Sequence, residues 1–139
     1  MFLANTAGGF GGAQTFPSAA GAVAISAADI DGDGDPDLAA ANETANSVSV
    51  LSNNGLGVFA PVAALRVTRP LGVLLADVTG DASPDLVVAS AGTNTVNVFG
   101  NQGDGTFGQK VVLPAGVLAR GLAAPDLDGD GQVDLAVAN

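Results

Sequence analysis

Five aspartates on alternate residues, Asp29, Asp31, Asp33, Asp35 and Asp37, constrain this chain more than anything else in it. Carboxylates set that close repel one another, and a fold keeps them there when a cation fills the space between. The stretch Asp29–Leu38 then recurs, as Asp77–Leu86 and as Asp126–Leu135, with starts 48 and 49 residues apart. Self-similarity on a beat of that length is the signature of a solenoid or a propeller, in which one supersecondary unit is copied and stacked.

Charge follows the same beat. The chain carries 14 acidic and 4 basic residues, a formal net charge of −10, and only Glu43 and Asp104 among the acids lie outside the three stretches. One divalent ion per stretch would change −10 to −4, so the acidity belongs to sites and not to a solvated surface. Arg66, Arg69, Lys110 and Arg120 form no cluster, which argues against nucleic acid as a partner. His, Cys, Tyr and Trp are absent. Thiolate zinc sites, disulfides and the usual nucleophile–base pairs are therefore excluded, and with every clustered carboxylate assigned to metal the chain is not expected to be an enzyme. No run of about 18 apolar residues is available to cross a membrane. Met1–Asn5 lacks a basic segment, so no signal peptide is expected within this sequence.

Between the acidic stretches, short runs rich in Val, Ile and Ala alternate with Gly, Asn, Asp and Pro, the pattern of strands and turns. No apolar stripe of helical period is long enough for a helix. Strands are predicted at 1–4, 10–16, 22–28, 37–42, 47–52, 58–65, 71–76, 86–90, 95–99, 107–113, 117–124 and 135–139. The chain thus divides into a half unit (1–17), two whole units (18–66 and 67–114) and a second half unit (115–139). Leu3–Phe10 aligns with Leu51–Phe59 and with Phe99–Phe107, so Phe10, Phe59 and Phe107 keep the same beat and are expected to plug the core between units.

Four antiparallel strands per unit read as the blades of an all-β propeller, three blade-equivalents per chain with a half-blade at each terminus. The acidic loops, the Asn-x-Gly-x-Gly-x-Phe turns and their spacing resemble the FG-GAP/VCBS-type repeats of integrin-α-like propellers. The resemblance covers nearly the whole chain. It implies calcium-binding blades, a scaffold for binding or adhesion, and an extracellular, cell-surface or periplasmic setting.

Calcium takes roughly six to eight hard oxygen ligands from a flexible loop. In the first loop, Asp29, Asp31, Asp33 and Asp37 at positions 1, 3, 5 and 9 offer side chains, and Asp35 at position 7 offers its carbonyl. In the third, Asp126, Asp128, Asp130 and Asp134 do the same, with the carbonyl of Gln132. The second keeps Asp77, Asp81 and Asp85 with the carbonyl of Ser83, but Thr79 replaces the position-3 carboxylate and Ala82 the position-6 glycine. The resemblance implies the same assignment. About three calcium ions per chain are expected, with the middle site the weakest; magnesium, which prefers octahedral and water-rich sites, fits poorly. An EF-hand would need a bidentate Glu at position 12, where this chain has Ala40, Val88 and Val137.

Three blade-equivalents are fewer than the roughly four to eight of a closed propeller. Pairing the C-terminal half unit of one chain with residues 1–16 of another gives six blades, so a homodimer is expected, the alternative being a piece of a longer extracellular propeller. A protein or a glycan is the expected ligand class. A lectin would have only Phe to stack on a sugar ring. Glu43 and Asp104 are expected to be solvated, Arg66, Arg69 and Arg120 to make surface ion pairs, and Asn42, Asn46, Asn94 and Asn139 to satisfy turn backbones.

Overall fold

Each acidic stretch becomes a hairpin loop in the computed structural model, which describes residues 8, 9 and 11–139. Among these residues all regular structure is β. Strands β1 (Ala22–Ala28), β2 (Asp37–Asn42), β3 (Ser47–Asn53) and β4 (Phe59–Arg66) form one antiparallel sheet in sequence order. Strands β5 (Pro70–Ala76), β6 (Asp85–Ser90), β7 (Thr95–Asn101) and β8 (Phe107–Pro114) form a second of the same topology. A short pair, β9 (Gly121–Ala123) and β10 (Ala136–Ala138), begins a third. The register slips between Ala22 and Ala24 and again, 48 residues on, between Pro70 and Gly72, so the bulge that twists each blade is copied with it.

Successive side chains of a strand point to opposite faces, so the second blade packs on both sides. Between the first and second blades, Ile30, Ala39, Ala41, Val48 and Val50 meet Val73, Leu75, Leu86, Val88 and Phe99. The first blade offers mainly small side chains and the second larger ones, which lets the layers interdigitate at native density. Between the second blade and β9–β10, Val87, Val96 and Val98 meet Leu122, Leu135 and Val137. Gly72 marks the closest approach there, because a Cβ at that position would run into the carbonyl oxygen of Arg120.

The turns opposite the acidic loops fasten one blade to the next. Asn46 and Asn94 adopt left-handed φ values of 51° and 54°, a region Asn tolerates better than most residues. Their Oδ1 atoms accept the backbone N–H groups of Arg69 (2.7 Å) and Leu118 (3.1 Å), where the chain enters the following blade. This is the turn role the sequence predicts for them, whereas Asn42 is buried in β2 and its Nδ2 donates to the Ala40 carbonyl (3.2 Å) and to Ser49 Oγ (2.9 Å).

Strand ends in both complete blades fall within two residues of the predicted ones. The terminal half units differ. Predicted strands at 117–124 and 135–139 shorten to β9 and β10, which pair only with each other among the described residues. No strand forms over residues 11–16, while residues 1–4 and Phe10 lie outside the described residues. Residues 16–19 lie against the first blade: Phe16 meets Phe59 edge-on with centroids 5.0 Å apart, and the Ala19 N–H donates to Ser49 Oγ (3.3 Å). Phe107 packs against the core between the blades, as the beat predicts, while Phe59 is buried against Phe16 and belongs to neither core between blades.

Candidate metal centre

The acidic loops join β1 to β2, β5 to β6 and β9 to β10, so all three open on the same rim as the turns joining β3 to β4 and β7 to β8. The position-9 aspartate roots each loop. Asp37 and Asp85 are fully buried at the first residue of their strands. Asp37 Oδ2 accepts the Ile30 N–H (3.0 Å), and its Oδ1 accepts the Asn53 N–H (2.7 Å) from the neighbouring turn. Asp85 Oδ2 accepts the N–H groups of Val78 and Thr79 (both 3.0 Å), and its Oδ1 accepts that of Asn101 (2.9 Å). Asp134 Oδ2 takes the Leu127 N–H (2.8 Å) in the same way.

The rest of each loop curls around the position-1 carboxylate. Asp29 accepts the N–H groups of Gly32 (2.8 Å) and Gly34 (2.9 Å), and Asp126 those of Gly129 (2.7 Å) and Gly131 (3.0 Å). Asp77 accepts from Gly80 (2.7 Å), Asp81 (3.1 Å) and Ala82 (2.9 Å). At position 3, Asp31 and Asp128 accept the N–H two residues ahead (3.3 and 3.1 Å). At position 5, Asp33, Asp81 and Asp130 do so too (2.8, 2.9 and 2.7 Å). Backbone N–H groups thus aim the carboxylates and leave lone pairs free for a cation.

Side-chain oxygens of Asp29, Asp31 and Asp37 all lie within 4.8 Å of one another, and so do those of Asp126, Asp128 and Asp130. Asp33 and Asp134 stand outside these groups. In the middle loop Asp77, Asp81 and Asp85 do not converge, since Thr79 leaves position 3 without a carboxylate. The Asp35 carboxylate turns to the neighbouring turn, where a Cβ on Gly55 would stand 2.5 Å from its Oδ2, which suits a residue expected to contribute only its carbonyl. The side chain of Gln132 bonds Asp130 Oδ2 (3.4 Å), and Ser83 gives its N–H to Asp81. A donor set made only of hard oxygens fits calcium and excludes soft-metal chemistry.

Electrostatics separate the loops. Burial pushes the Asp31 carboxyl above its usual range, and Asp37, Asp33 and Asp29 push the same way, against the Asp33 N–H bond. A raised folded-state value means that the ion-free first loop loses stability as pH rises through it, and a bound cation reverses that. At Asp77 slight burial is outweighed by the N–H groups of Ala82, Gly80 and Asp81, which hold the carboxyl below its usual range.

The loops also differ at position 6, where Gly34, Ala82 and Gly131 all have left-handed φ, at 91°, 70° and 84°. Alanine there carries a cost of about 1 kcal/mol that glycine avoids. Ala82→Gly is therefore expected to raise unfolding free energy by about 1 kcal/mol in urea titration. An unchanged or lower midpoint would show that the loop relaxes around Ala82.

Sequence reasoning missed Asn53 and Asn101 as part of the site. Beyond their backbone bonds to Asp37 and Asp85, Asn53 Nδ2 donates to the Pro36 carbonyl (3.1 Å) and Asn101 Nδ2 to the Pro84 carbonyl (3.1 Å). Asn101 Nδ2 also reaches back to the Ile30 carbonyl (2.8 Å) in the first blade's loop. The signal was the recurrence of Asn at the head of each turn. Two acids outside the loops are also engaged: Glu43 accepts from Arg69 Nε (2.9 Å), and the Thr106 hydroxyl and N–H hold the Asp104 carboxyl below its usual range.

Residues 29–88 and 77–137 each match the family model of the FG-GAP-like repeat. No curated protein and no solved structure gives a match. Both matched stretches open on an acidic loop and close in the strand leaving the next one, and together they span residues 29–137. By its repeats, its blades and its loops, this chain belongs to the FG-GAP-like repeat family.

Proposed function

We propose that this chain is a calcium-stabilised propeller segment that acts as a scaffold for binding or adhesion. The observation that carries the calcium reading is the convergence of Asp29, Asp31 and Asp37 within 4.8 Å, repeated at Asp126, Asp128 and Asp130. Bound ions would neutralise the acidic rim and hold the β1–β2, β5–β6 and β9–β10 hairpins in place. Asp29, Asp31, Asp33 and Asp37 would hold the first ion, with Asp126, Asp128, Asp130 and Asp134 holding the third. The carbonyls of Asp35 and Gln132 complete these sets. Asp77, Asp81 and Asp85, with the Ser83 carbonyl, form the poorest set.

The scaffold role follows the family, whose repeats are typically extracellular, where calcium is plentiful enough for weak sites. Among the described residues no helix is long and apolar enough to cross a membrane. In this reading the acidic residues shape their own loops and hold ions, and none is assigned to catalysis. Calorimetric titration of the chelator-stripped chain is expected to count about three calcium ions, two tight and one weak. Asp77→Ala should remove the weak one, and Asp29→Ala or Asp126→Ala a tight one. Absence of binding heat, or a middle site that binds tightest, would sink the reading.

A further inference from the structure

The first blade carries an apolar cavity of about 460 Å³ on the face turned away from the second blade, lined in part by Phe16, Ile25, Leu38, Ala40 and Leu51. The repeat shows what such a face receives. Ile25, Leu38, Ala40 and Leu51 stand 48 residues before Val73, Leu86, Val88 and Phe99, with which the second blade receives the first. Yet Ile25 is 65% exposed and Val73 only 8%. What covers Val73 and its neighbours is the opposite face of a blade, with Ile30, Ala39 and Ala41 at its centre.

The chain displays that covering face once more. Leu127, Ala136 and Ala138 stand 97 residues after Ile30, Ala39 and Ala41. Leu135 and Val137 point into the second blade, so alternation along β10 turns Ala136 and Ala138 outward. Leu127 is 66% exposed, where Ile30 is 2%. We infer that the first blade of one copy is covered by the β9–β10 pair of a second copy, and reciprocally, which joins two chains into a six-bladed ring. Head-to-tail contacts of this kind close when the rotation per chain allows, and six blades lie within the usual range. This deepens the propeller reading and rests on it, but not on calcium.

Polar groups agree with the apolar match. Across the existing junction Asn101 Nδ2 donates to the Ile30 carbonyl. Asn53 is its counterpart in the first blade, and the Leu127 carbonyl of a second copy is the counterpart of Ile30. Asp37 and Asp85 each take an N–H from the end of a third strand, from Asn53 and Asn101. Phe16 already edges the cavity as Leu65, 49 residues on, edges the core of the second blade. Phe16 thus stands at the outer part of the shared blade, and the second copy supplies the inner part.

Sedimentation equilibrium of the full chain in saturating calcium is expected to give twice its 13.4 kDa. Ile25→Asp and Leu127→Asp should each raise the dimer dissociation constant at least tenfold. Both side chains are exposed in the single chain, so the variants keep the β circular dichroism of the folded protein. A monomeric chain, or a dimer indifferent to both substitutions, would overturn the inference. A dimer that binds no calcium would uphold the interface while the calcium reading fails, and a monomer that binds calcium would do the reverse.

Discussion

Asp85→Ala is expected to cost the ion-free protein about 3–5 kcal/mol of stability, more than any other loop substitution. Asp85 is fully buried, and its two oxygens take three backbone N–H groups, those of Val78, Thr79 and Asn101. Alanine would strand all three donors where water has poor access, and each orphaned donor costs about 1–3 kcal/mol before relaxation. It would also cut the tie between the β5–β6 loop and the β7–β8 turn, on which the rim of the blade depends. Asp85→Asn should cost somewhat less, since one oxygen remains, but its amide would face donors where an acceptor is needed. Asp81, exposed and bonded only to the Ser83 N–H, provides the control, and Asp81→Ala should cost no more than about 1 kcal/mol. Urea unfolding with chelator present makes the comparison, and equal costs at the two positions would contradict the rooting role given to position 9.

That role was only half legible in the sequence. Asp37, Asp85 and Asp134 were readable as candidate ligands from their spacing, and the strands around them from runs of Val, Leu and Ala. Burial was not readable, because it comes from the neighbouring turn, whose Asn53 or Asn101 lies 16 residues on. The bond from Asn101 to the Ile30 carbonyl spans 71 residues and two blades, a distance over which no local pattern carries information. An asparagine beside glycines reads as a turn residue and nothing more. By contrast, the departures of the middle loop were plain, since Thr79 removes a carboxylate and Ala82 stands where the other two loops have glycine. The terminal half units were the least legible part. A strand's length depends on the ladder beside it, and among the described residues β10 pairs only with β9 and residues 11–16 with no strand.

Removing calcium should produce the other large effect. An ion that binds only the folded state stabilises it by mass action, by about 2.7 kcal/mol when its concentration is a hundred times the dissociation constant. Two well-formed sites, at Asp29, Asp31 and Asp37 and at Asp126, Asp128 and Asp130, would together contribute roughly 5 kcal/mol at that saturation. For a chain of this length, that corresponds to roughly 15–20 °C in melting temperature. Magnesium at the same concentration should recover little of it, because it gives up its hydration waters reluctantly. Without the ion, the carboxylates of the first loop are left to repel one another, which is why burial and neighbouring charge raise the Asp31 carboxyl. Thermal unfolding followed by circular dichroism, in millimolar calcium and again in excess chelator, tests whether these loops exist to hold that ion. A melting temperature that falls by roughly 15 °C or more on chelation, and returns when calcium is restored, is the predicted result. Superimposable melts in calcium and in chelator would contradict the account.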